Sequence, residues 1–127
     1  PTSFAPSANE GSTTVIEDTL TVSNEGDANL LWSAEVMTPT EATWLRIAVG
    51  SDDPDTVILP QVTAPNASTP VNVYFDPTGL AEGIYTGWLR ILSNDADESE
   101  VIVPVTFTIR AIEEDNYIYL PLVLRNY

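Results

Sequence analysis

An all-β Greek-key sandwich of about seven strands is the fold this sequence predicts. Three observations predict it. Apolar residues recur with period two in a series of short runs. Groups of Gly, Pro, Asn and Asp separate those runs. No window carries an i, i+3, i+4, i+7 apolar stripe over helical length.

In chain order, Thr19 to Val22 places Leu20 and Val22 on one face and stops at the turn formers Ser23-Asn24-Glu25-Gly26-Asp27. Asp18 falls in phase with Ile16, Leu20 and Val22, which predicts a bulge or a break between two short strands near Glu17. Leu30 to Val36 sets Leu30, Trp32, Ala34 and Val36 against Leu31, Ser33 and Glu35, a half-buried antiparallel strand with Trp32 in the core. From Trp44 to Val49 the phase groups Leu45, Ile47 and Val49, so Trp44 is expected to face outward or sit at the rim. Val71, Val73 and Phe75 alternate with Asn72 and Tyr74 up to the Asp76-Pro77-Thr78-Gly79 turn.

The next run has Tyr85, Gly87, Leu89 and Ile91 on one face and Ile84, Thr86, Trp88, Arg90 and Leu92 on the other. The last long strand points Val101, Val103, Val105, Phe107 and Ile109 inward. Pro104 lies within it and cannot donate a ladder hydrogen bond, so the strand is expected to be an edge or to be bulged there. Tyr85 opens its strand after a crossover loop, the setting of a tyrosine corner, which makes the predicted sandwich immunoglobulin-like.

The chain has 127 residues, one domain's worth. A boundary is expected near Ala111: residues 1–110 form the sandwich, and 111–127 form an acidic hinge (Glu113-Glu114-Asp115-Asn116) with an apolar tail. Pro1 is preceded by no methionine, basic n-region or apolar h-region, so the sequence reads as an excised piece. The longest apolar stretch, Tyr117 to Leu124, is broken by Pro121 and is far short of the roughly 20 residues of a membrane helix.

Composition excludes several chemistries. With neither Cys nor His there are no disulfides, no thiolate or imidazole ligands, and no Cys nucleophile or His base. Nineteen acidic residues against four arginines give a formal charge of −15, which repels phosphate backbones and anionic membranes, so nucleic acid is not an expected partner. The same charge suits an extracellular or cell-surface location, or a high-salt habitat. Paired carboxylates alone can hydrolyse glycosides, but they need a cleft and a raised pKa, and a small sandwich filled with Val, Leu, Ile and Trp offers no obvious cavity. No catalytic residue and no cofactor is therefore assigned.

Trp88, flanked in phase by Thr86 and Arg90, is the leading candidate for a ligand or interface residue, because an outward flat aromatic beside polar groups can stack on a sugar face. Thr106 and Thr108 would widen that platform if they pair alongside. The plainer alternative, which we favour, has Trp88 packing under a neighbouring domain or under the tail. Trp44 and Tyr74 are weaker candidates of the same kind. Ser51-Asp52-Asp53-Pro54-Asp55 and Asn94-Asp95-Ala96-Asp97-Glu98 cluster oxygen ligands, but neither has EF-hand spacing, so both read as solvated loops and no metal is assigned. Asn66-Ala67-Ser68 matches a glycosylation sequon, a three-residue match that carries no argument.

Ser23-Asn24-x-Gly26 followed by Leu31-Trp32-Ser33, and Gly83-x-Tyr85-x-Gly87-x-Leu89-x-Ile91-x-Ser93-Asn94, resemble the BACON-type immunoglobulin-like domains of secreted bacterial proteins, over about Phe4 to Ile109. The resemblance implies a non-catalytic accessory sandwich appended to extracellular enzymes or other modules. Carbohydrate or mucin binding is proposed for that family, without a fixed set of ligand residues. The ending from Tyr117 to Tyr127 also looks like C-terminal endings of secreted bacterial proteins, which implies an extracellular source and a true C-terminus.

The tail is expected to dock through Tyr117, Tyr119, Leu120 and Leu122 as a strand or extended arm, because an apolar ribbon on an acidic hinge is costly to leave in water. It would dock in cis, or by exchange between two chains to give a homodimer. The expected function is thus a structural or protein-interaction module contacting neighbouring domains of its polypeptide or another protein. Polysaccharide binding around Trp88 is the alternative.

Overall fold

The computed structural model describes residues 2–112. They form eight strands and no helix: β1 (Ser7–Asn9), β2 (Ile16–Ser23), β3 (Leu30–Met37), β4 (Leu45–Val49), β5 (Val57–Thr63), β6 (Ser68–Phe75), β7 (Gly83–Ser93) and β8 (Glu100–Arg110). Two sheets carry them, a five-stranded sheet in the order β1-β8-β7-β3-β5 and a three-stranded sheet in the order β2-β6-β4. The architecture is the predicted sandwich, with one pairing, β1 with β8, parallel.

The core lies between the sheets and is built from the residues the alternation points inward. Trp32, Ala34, Leu89, Ile91, Val103, Val105, Phe107 and Ile109 of the larger sheet meet Leu20, Ile47, Val71, Val73 and Phe75 of the smaller one. Phe107 is its aromatic hub, with ring centroids 5.7 Å from Trp44 and 6.0 Å from Phe75. The tyrosine corner is present: the Tyr85 hydroxyl donates to the Ala81 carbonyl at 2.8 Å. After β6, Thr78 N–H donates to Asp76 Oδ1 and Gly79 takes a φ of 78°, a left-handed conformation that glycine adopts without a Cβ penalty.

Gly87 has a packing reason. A Cβ there would stand 2.9 Å from the backbone carbonyl oxygen of Met37 and 3.0 Å from Thr38 Cγ2, so β3 and β7 approach each other too closely for any side chain. Gly87→Ala is expected to cost about 1–3 kcal/mol of stability as an overpacking substitution, measured as a lowered urea midpoint.

Three expectations need correction. Trp44 is buried, not outward: β4 begins at Leu45, so Trp44 lies before the strand, outside its alternation, and packs edge-on to Tyr85 at 6.4 Å. No bulge or break occurs near Glu17. β2 runs unbroken in register with β6, with Asp18 opposite Val73. Asp18 is nevertheless exposed, because β2 is an edge strand and its in-phase side chain reaches water around the sheet margin. An inward-phase charge on an edge also discourages strand addition by other chains.

Pro104 causes no bulge either, and β8 is not an edge strand but lies between β1 and β7; its register with Trp88 is regular. Its nitrogen faces the β1 side at the point where the N-terminal arm begins, with Phe4 N–H donating to Pro104 O and Thr106 N–H donating to Phe4 O. Pro104 therefore costs the β7 ladder nothing. Two strands have no sequence prediction: the three-residue β1, and β5 on the other edge of the larger sheet, where Pro60 and a register shift against Trp32/Ala34 interrupt the alternation.

Candidate interaction surface

The outward phases of β3, β7 and β8 and the edge strand β5 make one continuous outer face on the larger sheet. Cross-strand register fixes its rows. Met37, Trp88 and Pro104 lie side by side, as do Val57, Glu35, Arg90 and Ile102 in the next row, then Ser33, Leu92 and Glu100. Toward the other end, Thr86 is paired with Thr106, and Ile84 with Thr108. The structure thus brings the predicted residues Trp88, Arg90, Thr86, Thr106 and Thr108 onto one face. Trp88 is half-buried, with apolar rather than polar side chains as its lateral neighbours.

Apolar exposure concentrates here. Among the described residues, seven of the ten large hydrophobics that remain exposed belong to this face or its β5 edge: Leu31, Val57, Leu59, Val62, Ile84, Leu92 and Ile102. Leu59, at the β5 irregularity, is 73% exposed. These positions were not flagged by sequence reasoning. The in-phase pair Ile84 and Leu92 beside Trp88 was the available signal.

At the centre of the face Arg90 bridges two carboxylates, with Nη1 at 3.2 Å from Glu35 Oε2 and Nε at 2.6 Å from Glu100 Oε2. The hydrogen bond to Glu100, opposed by desolvation and supported by the charges of both glutamates, raises the guanidinium pKa above its already high ordinary value. Arg90 therefore keeps its charge at any pH the fold tolerates. With Arg110 as the only other charged residue on the outward phases of β3, β7 and β8, two glutamates and two arginines cancel. A chain of formal charge −15 thus presents one sheet face that is neutral.

The remaining candidates stand elsewhere. Tyr74 is on the outer face of the smaller sheet, between Glu17 and Arg46. In the acidic loops the carboxylates serve as turn caps: Asp95 Oδ1 accepts the N–H groups of Asp97 and Glu98, and Asp55 Oδ1 accepts that of Thr56. Among the described residues no group of three or more His, Cys, Asp or Glu side chains is placed to hold a metal ion. No helix among them is long and apolar enough to cross a membrane. The tail residues Tyr117, Tyr119, Leu120 and Leu122 lie outside the described residues.

No family model and no curated protein matches the chain. Solved structures do. The CupB2 chaperone of Pseudomonas aeruginosa is similar at 15% identity and a TM-score of 0.57, over 86% of this chain and 53% of that one. A PapD-like domain of human CEP192 is similar at 16% identity and a TM-score of 0.55, over 90% of this chain and 83% of that one. A family 123 glycoside hydrolase from Clostridium perfringens is similar at 12% identity and a TM-score of 0.59, over 87% of this chain but 23% of that one. The chain thus spans about half the length of the chaperone and a quarter of the hydrolase. At these identities the likeness is one of fold, an immunoglobulin-like or PapD-like β-sandwich.

Proposed function

We propose that this chain is a non-catalytic interaction module of a secreted or cell-surface bacterial protein, of the BACON type its turn and strand motifs resemble, and that it packs the outer face of its larger sheet against a neighbouring protein domain. The neutral, apolar character of that face carries the reading. Acidic residues far outnumber basic ones in this chain, and where the two signs balance, large hydrophobics cluster; such a patch is the surface signature of a protein contact. The sequence's lack of Cys and His supports the non-catalytic part of the reading.

A carbohydrate-binding role is the second reading, favoured by the half-exposed Trp88 beside Arg90 and the Thr86/Thr106 pair. Affinity electrophoresis of the native chain and of Trp88→Ala, through gels containing plant, mucin and bacterial polysaccharides, separates the two. Unretarded migration in every gel is the expected result. Retardation that disappears in Trp88→Ala would replace the protein-contact reading with the carbohydrate one.

A further inference from the structure

The outer face of the larger sheet carries a self-complementary pattern. Its middle row runs Val57, Glu35, Arg90, Ile102 across β5, β3, β7 and β8, in the order apolar, acidic, basic, apolar. A second copy, turned over about a two-fold axis that lies along the strands between β3 and β7, brings its β7 onto β3 and its β8 onto β5. Val57 then lies over the second copy's Ile102 and Glu35 over its Arg90, and the same two pairs recur across the axis. In the next row Met37 lies over the second copy's Trp88, a thioether against an aromatic ring. Sheet twist turns the facing strands by about 30°, which leaves the central pairs opposed.

The central groups have capacity for a second partner. Arg90 uses Nη1 for Glu35 and Nε for Glu100, and its Nη2 makes no hydrogen bond among the described residues. The side chains of Arg90 and Glu35 remain 35% and 38% exposed. Each guanidinium can thus hold its own Glu35 and the second copy's, closing a ring of alternating charge between exposed Val57 and Ile102. The face is also large enough. β3, β5, β7 and β8 have eight, seven, eleven and eleven residues. At about 3.3 Å per residue and about 4.8 Å between strands they span roughly 600 Å² in projection. A side-chain surface exceeds its projection, so the face approaches the ~800 Å² per partner of a standard interface.

We infer that the domain packed on this face is a second copy of the chain, held as a two-fold dimer. The inference rests on the protein-contact reading of the face and adds the identity of the partner. Charge selects a second copy. The −15 on each chain opposes association in general, and here two copies meet with opposite charges facing one another. A partner of different sequence has no need of a row that complements itself.

Exchanging the central charges tests the register. Sedimentation equilibrium of the full chain in about 0.5 M NaCl, where repulsion between copies is screened, is expected to show a reversible dimer. Arg90→Glu sets acid against acid at both central pairs and Glu35→Arg sets base against base, so each variant alone should dimerise about a hundredfold more weakly. Mixed together, the two variants should recover dimers, because one chain then brings two glutamates and the other two arginines to the pairs. Recovery on mixing also excludes misfolding as the cause of the single-variant losses. A native chain that stays monomeric up to about 1 mM overturns the second-copy inference and leaves the protein-contact reading standing. Dimers that persist in both single variants place the contact elsewhere, and variants that stay monomeric when mixed refute the register; either result overturns the inference. Polysaccharide retardation that disappears in Trp88→Ala removes the reading itself, and the inference with it.

Discussion

Trp32→Ala is expected to lower the free energy of unfolding by about 3–5 kcal/mol, the usual cost of truncating a buried aromatic. Against the roughly 5–15 kcal/mol that holds a domain of this size together, that takes the fold to the edge of unfolding at room temperature. The side chain is 2% exposed. Its loss removes packing between β3 and the smaller sheet, and it takes away one of the two hydrogen bonds of a buried hydroxyl. The indole Nε1 donates to Thr63 Oγ1 at 2.9 Å in the buried interior, and Thr63 Oγ1 is also bonded to Thr69 Oγ1 at 2.7 Å. Urea unfolding followed by circular dichroism should show the midpoint fall with little change in slope. A loss under about 1 kcal/mol would mean that the residues around Trp32 collapse to fill the space.

Asn24→Leu should be the next most damaging change, at about 2–3 kcal/mol, although leucine keeps the same branching at Cγ. Asn24 Nδ2 donates to the carbonyls of Ala28 and Thr63 at 2.8 and 2.9 Å, and its Oδ1 accepts the Gly26 N–H at 2.9 Å. One buried amide therefore closes the β2–β3 turn and ties it to β5 in the opposite sheet. Asn24→Asp separates these roles, since aspartate still accepts from Gly26 but sets a carboxylate against two carbonyl oxygens. It should be at least as destabilising as leucine in the same urea titration. A mild Asn24→Asp would show that the turn, and not the tie to β5, carries the effect.

These two residues also show what the sequence discloses and what it withholds. Ser23-Asn24-x-Gly26 and Leu31-Trp32-Ser33 stand out as motifs, and the period-two pattern assigns Trp32 to the core correctly. Their shared partner Thr63 is invisible, because it sits on β5, where Pro60 and the register shift hide the alternation that betrays the other long strands. Period is informative only inside a regular strand. It misplaced Trp44, one residue before β4 begins, and it read Asp18 as a break because it assumes that an inward phase means burial, which an edge strand does not guarantee. The outer face was partly legible. Alternation put Trp88, Arg90 and Thr86 together, and register added Thr106, Thr108 and the Arg90 ion pairs, but its charge neutrality is a property of the assembled sheet.

The strand order has a consequence for how the chain comes to be folded. β8, the last described strand, lies inside the five-stranded sheet between β1 and β7 and supplies Val103, Val105, Phe107 and Ile109 to the core. A chain emerging N-terminus first, from a ribosome or a translocation pore, has no closed core until roughly its hundredth residue is free, because the first strand has nothing to pair with before the last arrives. Such a topology stays extensible through most of its passage and locks in one late step, so the interval just before β8 emerges is when its hydrophobic strands are most exposed to capture by other chains.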